Sequence, residues 1–245
     1  MKLKLRPSGV GYSPVGGETL AASLGQATPA DLKESLNIGA QIGQNLWPET
    51  PADLKTTAVR YFQTMAALAA ALMRVFALAL ALPEHDFEDK IDHHNSFLRV
   101  INYPAQETQP LPGQLRAGAH SDYGTLTILL SENAPGGLQV RNRDDEWVDV
   151  QTVPDSFVVN LGDLMMRWTN DRWVSTLHRV VNPPSDKRGI SRRQSLVFFH
   201  NPNPDAIIAC LESCYGPGHP AKYPPVSAGD YLILKSRQAY DTPQS

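Results

Sequence analysis

The segment Ala119-His120-Ser121-Asp122-Tyr123-Gly124 runs directly into the β-rich stretch Thr125–Leu130. In an extended backbone successive side chains alternate between faces, so His120 and Asp122 point the same way. An imidazole and a carboxylate so placed can occupy two neighbouring positions on one metal ion. A third donor must come from elsewhere. His178, in Ser175-Thr176-Leu177-His178-Arg179-Val180-Val181, is the candidate. Two histidines and one carboxylate on one face of a metal leave the remaining positions open, as in non-haem Fe(II) sites that handle O2. Taken alone, His-x-Asp reads as no more than a polar turn ahead of a strand.

A second group follows His178. Arg193-Gln194-Ser195 leads into the apolar run Leu196-Val197-Phe198-Phe199. On a strand Arg193 and Ser195 share one face, and Arg192 and Gln194 take the other. A guanidinium and a hydroxyl facing a β-lined pocket can clamp a carboxylate, with the arginine supplying paired donors and permanent charge. In isolation Arg192-Arg193 is a solvated basic strand start. The full order is His-x-Asp, a later His among β-formers, then Arg-x-Ser entering an apolar strand, and chance is a poor explanation of all four parts.

The elements that must hold these groups are mostly strands. Ser96–Tyr103, Thr125–Leu130, Leu138–Arg141, Trp147–Val150, Phe157–Asn160, Leu177–Val181 and Ser195–Phe199 are short, β-branched or aromatic, and bounded by turn residues such as Asn133-Ala134-Pro135-Gly136-Gly137 and Asn182-Pro183-Pro184. Many short strands with Pro/Gly loops predict a sandwich or jelly roll. Flanking helices are expected at Leu164–Trp168 and Ser227–Tyr240, with an unstructured tail beyond. A long helix is expected over residues 51–82, where Val59, Phe62, Met65, Ala69, Leu72, Phe76 and Ala79 recur at helical spacing. Its run Met65–Leu82 approaches the apolarity of a membrane span. Arg74 in mid-run and the many alanines favour packing on a sheet instead. The hexapeptide Thr-Pro-Ala-Asp-Leu-Lys occurs at residues 28–33 and again at 50–55. Thr at the N-cap, Pro at N1 and Asp at N3 predict a capped helix start at both places.

Composition sets the outer bounds. A chain of 245 residues with 42% hydrophobic residues suits one large β-rich domain, 1–245, and a net charge of −3 gives no electrostatic case for nucleic acid. Two cysteines, Cys210 and Cys214, read as reduced thiols. With no apolar segment behind Met1-Lys2-Leu3-Lys4-Leu5-Arg6, a cytoplasmic protein is expected.

These pieces together resemble a known family, the isopenicillin-N-synthase-like branch of the 2-oxoglutarate/Fe(II)-dependent dioxygenases. The matching segments are His120–Thr127, Asn160-Leu161-Gly162-Asp163, Leu177–Val181, Arg193–Leu196, Phe198–Pro202 and Asn102-Tyr103-Pro104, and the likeness spans about Gly11 to Tyr240. The resemblance implies a double-stranded β-helix in which His120, Asp122 and His178 hold Fe(II). It also implies that Arg193 and Ser195 bind the distal carboxylate of 2-oxoglutarate, with Tyr103 adding its hydroxyl. The activity implied is oxidation of a C–H bond of a small organic substrate by O2, with release of succinate and CO2. Two alternatives stay open: an Fe(II) oxidase in which Arg193 and Ser195 bind the substrate's own carboxylate, and a catalytically silent jelly-roll binding protein.

Three departures from the family pattern qualify the transfer. Asn102 directly precedes Tyr103 where many relatives carry Asn-x-Tyr, which puts Asn102 on the opposite face. The interval from His178 to Arg193 is lengthened, read as a longer hairpin loop. The family's usual N-terminal segment is missing, which is expected to expose an edge and favour association. Among other polar residues, His93 and His94 are expected at the surface or in structural roles and His200 as a hydrogen-bonding neighbour. Trp147, Trp168 and Trp173 are expected in the core.

Overall fold

The computed structural model describes residues 10–240. In chain order the elements are β1 (Gly11–Ser13), β2 (Glu34–Gly39), α1 (Leu54–Ala79), α2 (Glu88–Ile91), β3 (Phe97–Tyr103), β4 (Ala117–His120), β5 (Leu126–Ser131), β6 (Leu138–Arg141), β7 (Trp147–Asp149), β8 (Val158–Leu161), α3 (Asp163–Trp168), β9 (His178–Val180), β10 (Arg193–His200), β11 (Ile207–Ile208), β12 (Val226–Ser227) and α4 (Ala228–Tyr240). Two antiparallel sheets dominate: a six-stranded sheet in the order β1-β2-β3-β10-β5-β8 and a four-stranded sheet in the order β4-β9-β6-β7. This is the jelly-roll, double-stranded β-helix arrangement.

Alternation along β10 shows how one strand serves two cores. Arg193, Ser195 and Val197 are buried on one side and Phe198 and His200 on the other, while Gln194 is exposed. Phe198 joins Ile38, Leu98, Leu126 and Ile128 in the larger core beneath α1. Val197 joins Ile101, Tyr103, Ala117 and Val180 in a smaller one between the sheets. With both faces covered, β10 reads as an apolar run and not as a clean alternation.

Helix α1 has the length and apolarity of a membrane span. Its buried stripe, Ala58, Phe62, Met65, Ala69, Met73 and Ala77, packs into the larger core. Phe62 meets Phe198 edge-on with ring centroids 5.2 Å apart. The stripe departs from the expected one: Val59, Leu72 and Phe76 are half-buried and Ala79 is exposed, while Ala58, Met73 and Ala77 take the buried positions.

The repeated hexapeptide does not start two helices. In the second copy α1 begins at Leu54, with Asp53 at its N-cap and no side-chain capping bond, so Thr50 and Pro51 lie outside the helix. The first copy precedes strand β2 and forms no helix at all. Its Asp31 is buried and accepts the backbone N–H groups of Leu20 and Gly118, so tertiary partners replace the helix that local propensity favours. The segment between His178 and Arg193 is also not a hairpin. β9 lies in the four-stranded sheet and β10 in the six-stranded one, and a 3-10 turn at Ser185–Ile190 lies on the crossing between them. The expected tail beyond residue 240 lies outside the described residues.

Candidate active site

His120 ends β4, Asp122 stands in the loop that follows, and His178 opens β9, directly across the ladder from His120. The pairing brings the two imidazole centroids to 4.3 Å. Asp122 Oδ1 lies 4.0 Å from His120 Nε2 and 3.6 Å from His178 Nε2, and the three donor atoms lie within 4.8 Å of one another. The outward ring nitrogens are committed elsewhere. His120 Nδ1–H donates to the Gly118 carbonyl at 2.8 Å, and His178 Nδ1–H to the Thr176 carbonyl at 3.0 Å. Each bond fixes the tautomer that leaves an Nε2 lone pair facing the centre, as a metal ligand requires. The other carboxylate oxygen, Asp122 Oδ2, accepts from Asn160 Nδ2 at 2.7 Å. The donor set therefore fits a divalent first-row metal.

The Asp122 loop is seated by backbone contacts. Asp163 N–H, at the start of α3, donates to the Asp122 carbonyl at 2.7 Å, and Ser175 Oγ donates to the same oxygen at 3.3 Å. Gly162 makes the approach possible: a Cβ there would fall 2.3 Å from the Gly124 carbonyl oxygen. Electrostatics suit a ligand trio. Burial, then the neighbouring His178, pushes His120 down to about 3, so it is neutral at physiological pH. Burial alone would raise the Asp122 carboxyl; the two imidazoles and the bonds from Asn160 and Thr127 outweigh it and hold the group below its usual value.

The second constellation stands on β3 and β10, whose Tyr103 and Val197 share the smaller core with Ala117 of β4 and Val180 of β9. Arg193 pairs across the ladder with Tyr103, whose ring centroid is 5.1 Å from the guanidinium carbon. Ser195 Oγ and Ser131 Oγ are 2.9 Å apart. Arg193 is 5% exposed, and its side chain makes a long 3.4 Å contact from Nη1 to the Gly136 carbonyl, while Nε is buried with no partner among the described residues. Among those residues it also has no acidic partner. A cavity of about 280 Å³ opens beside it, lined also by Leu129, Ser131, Leu138 and Val158. Burial raises the Tyr103 phenol, which stays protonated as a donor. A buried, unpaired guanidinium beside a cavity, a hydroxyl and a phenol is what a carboxylate-binding pocket requires.

The chain matches the family model of the 2OG-Fe(II) oxygenase superfamily over residues 94–202. Its fold superposes on that of a full-length Neurospora crassa protein, solved in complex with alpha-KG and thymine, with a TM-score of 0.84, at 32% identity, covering 96% of this chain and 76% of that one. The chain belongs to the 2OG-Fe(II) oxygenase superfamily. Among curated relatives of this superfamily, a 2-oxoglutarate-Fe(II) type oxidoreductase of Emericella nidulans, hxnY, is 36% identical over 87% of this chain and 65% of its own length. A homoarginine-6-hydroxylase of Arabidopsis thaliana is 31% identical over 87% of this chain and 67% of its own. The chain spans about three fifths of the length of several curated relatives it matches, 59% and 61% in two cases.

The structure brings His120, Asp122 and His178 together in one group and Arg193 and Tyr103 in a second, with Ser195 two residues along the same strand face as Arg193. The other polar and aromatic residues take varied places. His93 is exposed beside Asp92. His94 stacks near Phe62 and His200, and His200 Nδ1 faces Thr125 Oγ1 at 2.7 Å. Trp168 is buried against Phe87, whereas Trp147 is half-buried beneath the Arg179 guanidinium. Asn102 turns away from the pocket and donates to Glu34.

Sequence reasoning gives no role to three features of the site. Asn160 belongs to a recognisable motif, but its bond to Asp122 follows from the β5–β8 register that sets it opposite Thr127. Arg116 is buried, donates to the Pro104 and Ser191 carbonyls, and lies 5.8 Å over the Tyr103 ring. Spacing does not reveal it, because the register shift between Ala117 and His120 breaks the alternation along this segment. A buried ionic cluster joins Glu18, Lys33 and Arg99, with Arg99 Nε donating to Asn37 Oδ1 at 2.8 Å. No short motif announces it.

Proposed function

We propose that this chain is an Fe(II)- and 2-oxoglutarate-dependent dioxygenase that oxidises a C–H bond of a small organic molecule, by hydroxylation or desaturation, and releases succinate and CO2. His120, Asp122 and His178 would hold the iron. Arg193, Ser195 and Tyr103 would hold the distal carboxylate of 2-oxoglutarate, which would place its keto-acid end towards the open metal positions. When bound, the iron supplies the O2 activation that protein side chains cannot. The chain's own work is to orient: Nδ1–H bonds to backbone carbonyls aim two imidazoles, and Asn160 fixes the carboxylate rotamer. The observation that carries the reading is the trio of Nε2, Nε2 and Oδ1 within 4.8 Å of one another, with Asp122 buried between two partly buried imidazoles.

Within the superfamily we place the chain in the isopenicillin-N-synthase-like branch, on the Arg193-Gln194-Ser195 and Asn102-Tyr103-Pro104 segments. Solved relatives were captured with unlike small molecules, thymine with the Neurospora crassa protein and JA with JOX2, which supports a small-molecule substrate without choosing one. The free thiols Cys210 and Cys214 suit a reducing compartment, and we place the protein in the cytoplasm. The test is aerobic turnover of 2-oxoglutarate to succinate by Fe(II)-loaded protein, with His120→Ala, Asp122→Ala and His178→Ala beside it. Succinate formation is expected in the wild type and lost in all three variants. A His178→Ala protein as active as wild type would remove the triad, and O2 uptake with no need of 2-oxoglutarate would favour the substrate-oxidase alternative.

A further inference from the structure

The strand that carries His120 is irregular. Between the pairs Ala117–Val180 and His120–His178, β4 advances three residues while β9 advances two. This is a β-bulge, a device that leaves one residue outside the ladder and re-aims the side chain beside it. The Gly118 N–H, within the bulge, donates to Asp31 Oδ1 at 2.9 Å. The Gly118 carbonyl in turn accepts His120 Nδ1–H. Asp31 is 1% exposed, and its second oxygen accepts Leu20 N–H at 3.3 Å and lies 3.6 Å from Lys33 Nζ, which links it to the ionic cluster of Glu18 and Arg99. Its own backbone is tied down as well, since Asp31 N–H donates to the Glu18 carbonyl and the Asp31 carbonyl accepts Gly16 N–H. Gly118 has no room for a side chain: a Cβ would stand 3.0 Å from Ala21 Cβ and N, and 3.3 Å from Asp31 Oδ1.

We propose that Asp31 is a positioning residue for the metal site, which holds the Gly118 bulge so that the Gly118 carbonyl orients His120. This role rests on the triad holding a metal. It gives the first Thr-Pro-Ala-Asp-Leu-Lys copy a purpose that its helix-start pattern hides. Asp31 supplies a fixed acceptor to a backbone N–H that the bulge removes from the ladder, and a buried N–H without an acceptor is strongly disfavoured. Without that acceptor the bulge relaxes, and His120 loses the geometry that points Nε2 at the centre.

The test measures Co(II) binding to the metal-free protein by anaerobic titration, followed through the Co(II) ligand-field spectrum, with folding checked by circular dichroism. Asp31→Ala is expected to weaken Co(II) binding by about 10–100-fold, the usual cost of losing a group that orients a ligand, and to alter the spectrum. Asp31→Asn retains a carbonyl oxygen for Gly118 N–H and is expected to bind within a few-fold of wild type. Glu18→Gln removes a charge from the adjoining ionic cluster but leaves the Gly118 contact, and is also expected to bind normally. Gly118→Ala attacks the same contact from the strand side, is expected to behave like Asp31→Ala, and carries the test if Asp31→Ala does not fold. Wild-type affinity and spectrum in Asp31→Ala or Gly118→Ala would overturn the proposal. So would equal losses in Asp31→Asn and Glu18→Gln, which would reduce Asp31 to a member of a charge network. A wild-type protein that binds no Co(II) would sink the metal reading itself, and this proposal with it.

Discussion

Replacing Arg193 by methionine should have opposite effects with and without its ligand. The guanidinium is 5% exposed, lacks an acidic partner among the described residues, and lies close enough to Arg116 that burial, then the Arg193 charge, lowers Arg116 to about 10. Removing an uncompensated buried charge of this kind relieves desolvation and repulsion together. Without 2-oxoglutarate, Arg193→Met should therefore melt no earlier than wild type. Each 1 kcal/mol gained would raise the melting temperature by roughly 2–4 °C for a domain of this size. With 2-oxoglutarate present the sign reverses. The variant leaves the distal carboxylate buried without its counter-charge, a loss of about 3–5 kcal/mol, which is roughly two to four decades in affinity. Ser195→Ala should lose about 1 kcal/mol, one neutral hydrogen bond, and Arg192→Gln, on the exposed face, almost nothing. Anaerobic calorimetric titration of metal-loaded protein, paired with melting curves with and without 2-oxoglutarate, reads both halves. Equal 2-oxoglutarate affinity in wild type and Arg193→Met would refute the carboxylate assignment. A marked fall in the melting temperature of the unliganded variant would refute the account of an unpaired charge.

Two further outcomes follow from the same geometry. Asn160→Ala removes the 2.7 Å bond that holds Asp122 Oδ2 and should weaken metal binding by about 10–100-fold; a titration indistinguishable from wild type would show that Asp122 is held without it. His200 is pushed down to about 3, chiefly by burial and then by His94. Below the ordinary histidine value of about 6.5 the unfolded chain takes up a proton that the native state refuses, so stability falls as pH drops from there towards 3. His200→Asn should remove up to about 1.4 kcal/mol per pH unit from that slope. Urea denaturation of metal-free protein at several pH values measures it, and an unchanged slope would refute the assignment.

The sequence is most legible where structure is decided locally. Strands β3, β5, β8 and β10 announce themselves by β-branched and aromatic runs between turn residues. His-x-Asp and Arg-x-Ser are legible because strand alternation alone decides what shares a face. β4 escapes sequence reading because Ala117-Gly118-Ala119 has no β-forming side chains, and only its pairing with β9 makes it a strand. β1 and β2 are likewise defined by partners, β2 lying between β1 and β3. Which sheet a strand joins is not a local property, so the link from His178 to Arg193 reads as a hairpin when it crosses between sheets. Asp31 and Arg116 act through backbone groups distant in sequence, which composition and spacing cannot report.

Strand β10 has a consequence for the order in which the chain can acquire its structure. It lies between β3 and β5 in the large sheet, although both are synthesised before it. About 70 residues separate the end of β5 from the end of β10, so a ribosome adding about 5–20 residues per second leaves the gap unfilled for roughly 3–14 s. During that interval β3 and β5 each present a row of unpaired backbone groups beside apolar side chains, the condition that invites pairing with another chain. Helix α1 emerges before either strand and packs against β5 as well as β10 in the finished protein. Because helices form from local contacts in about a microsecond, α1 is available to cover the outer face of β5 while the sheet waits for its central strand.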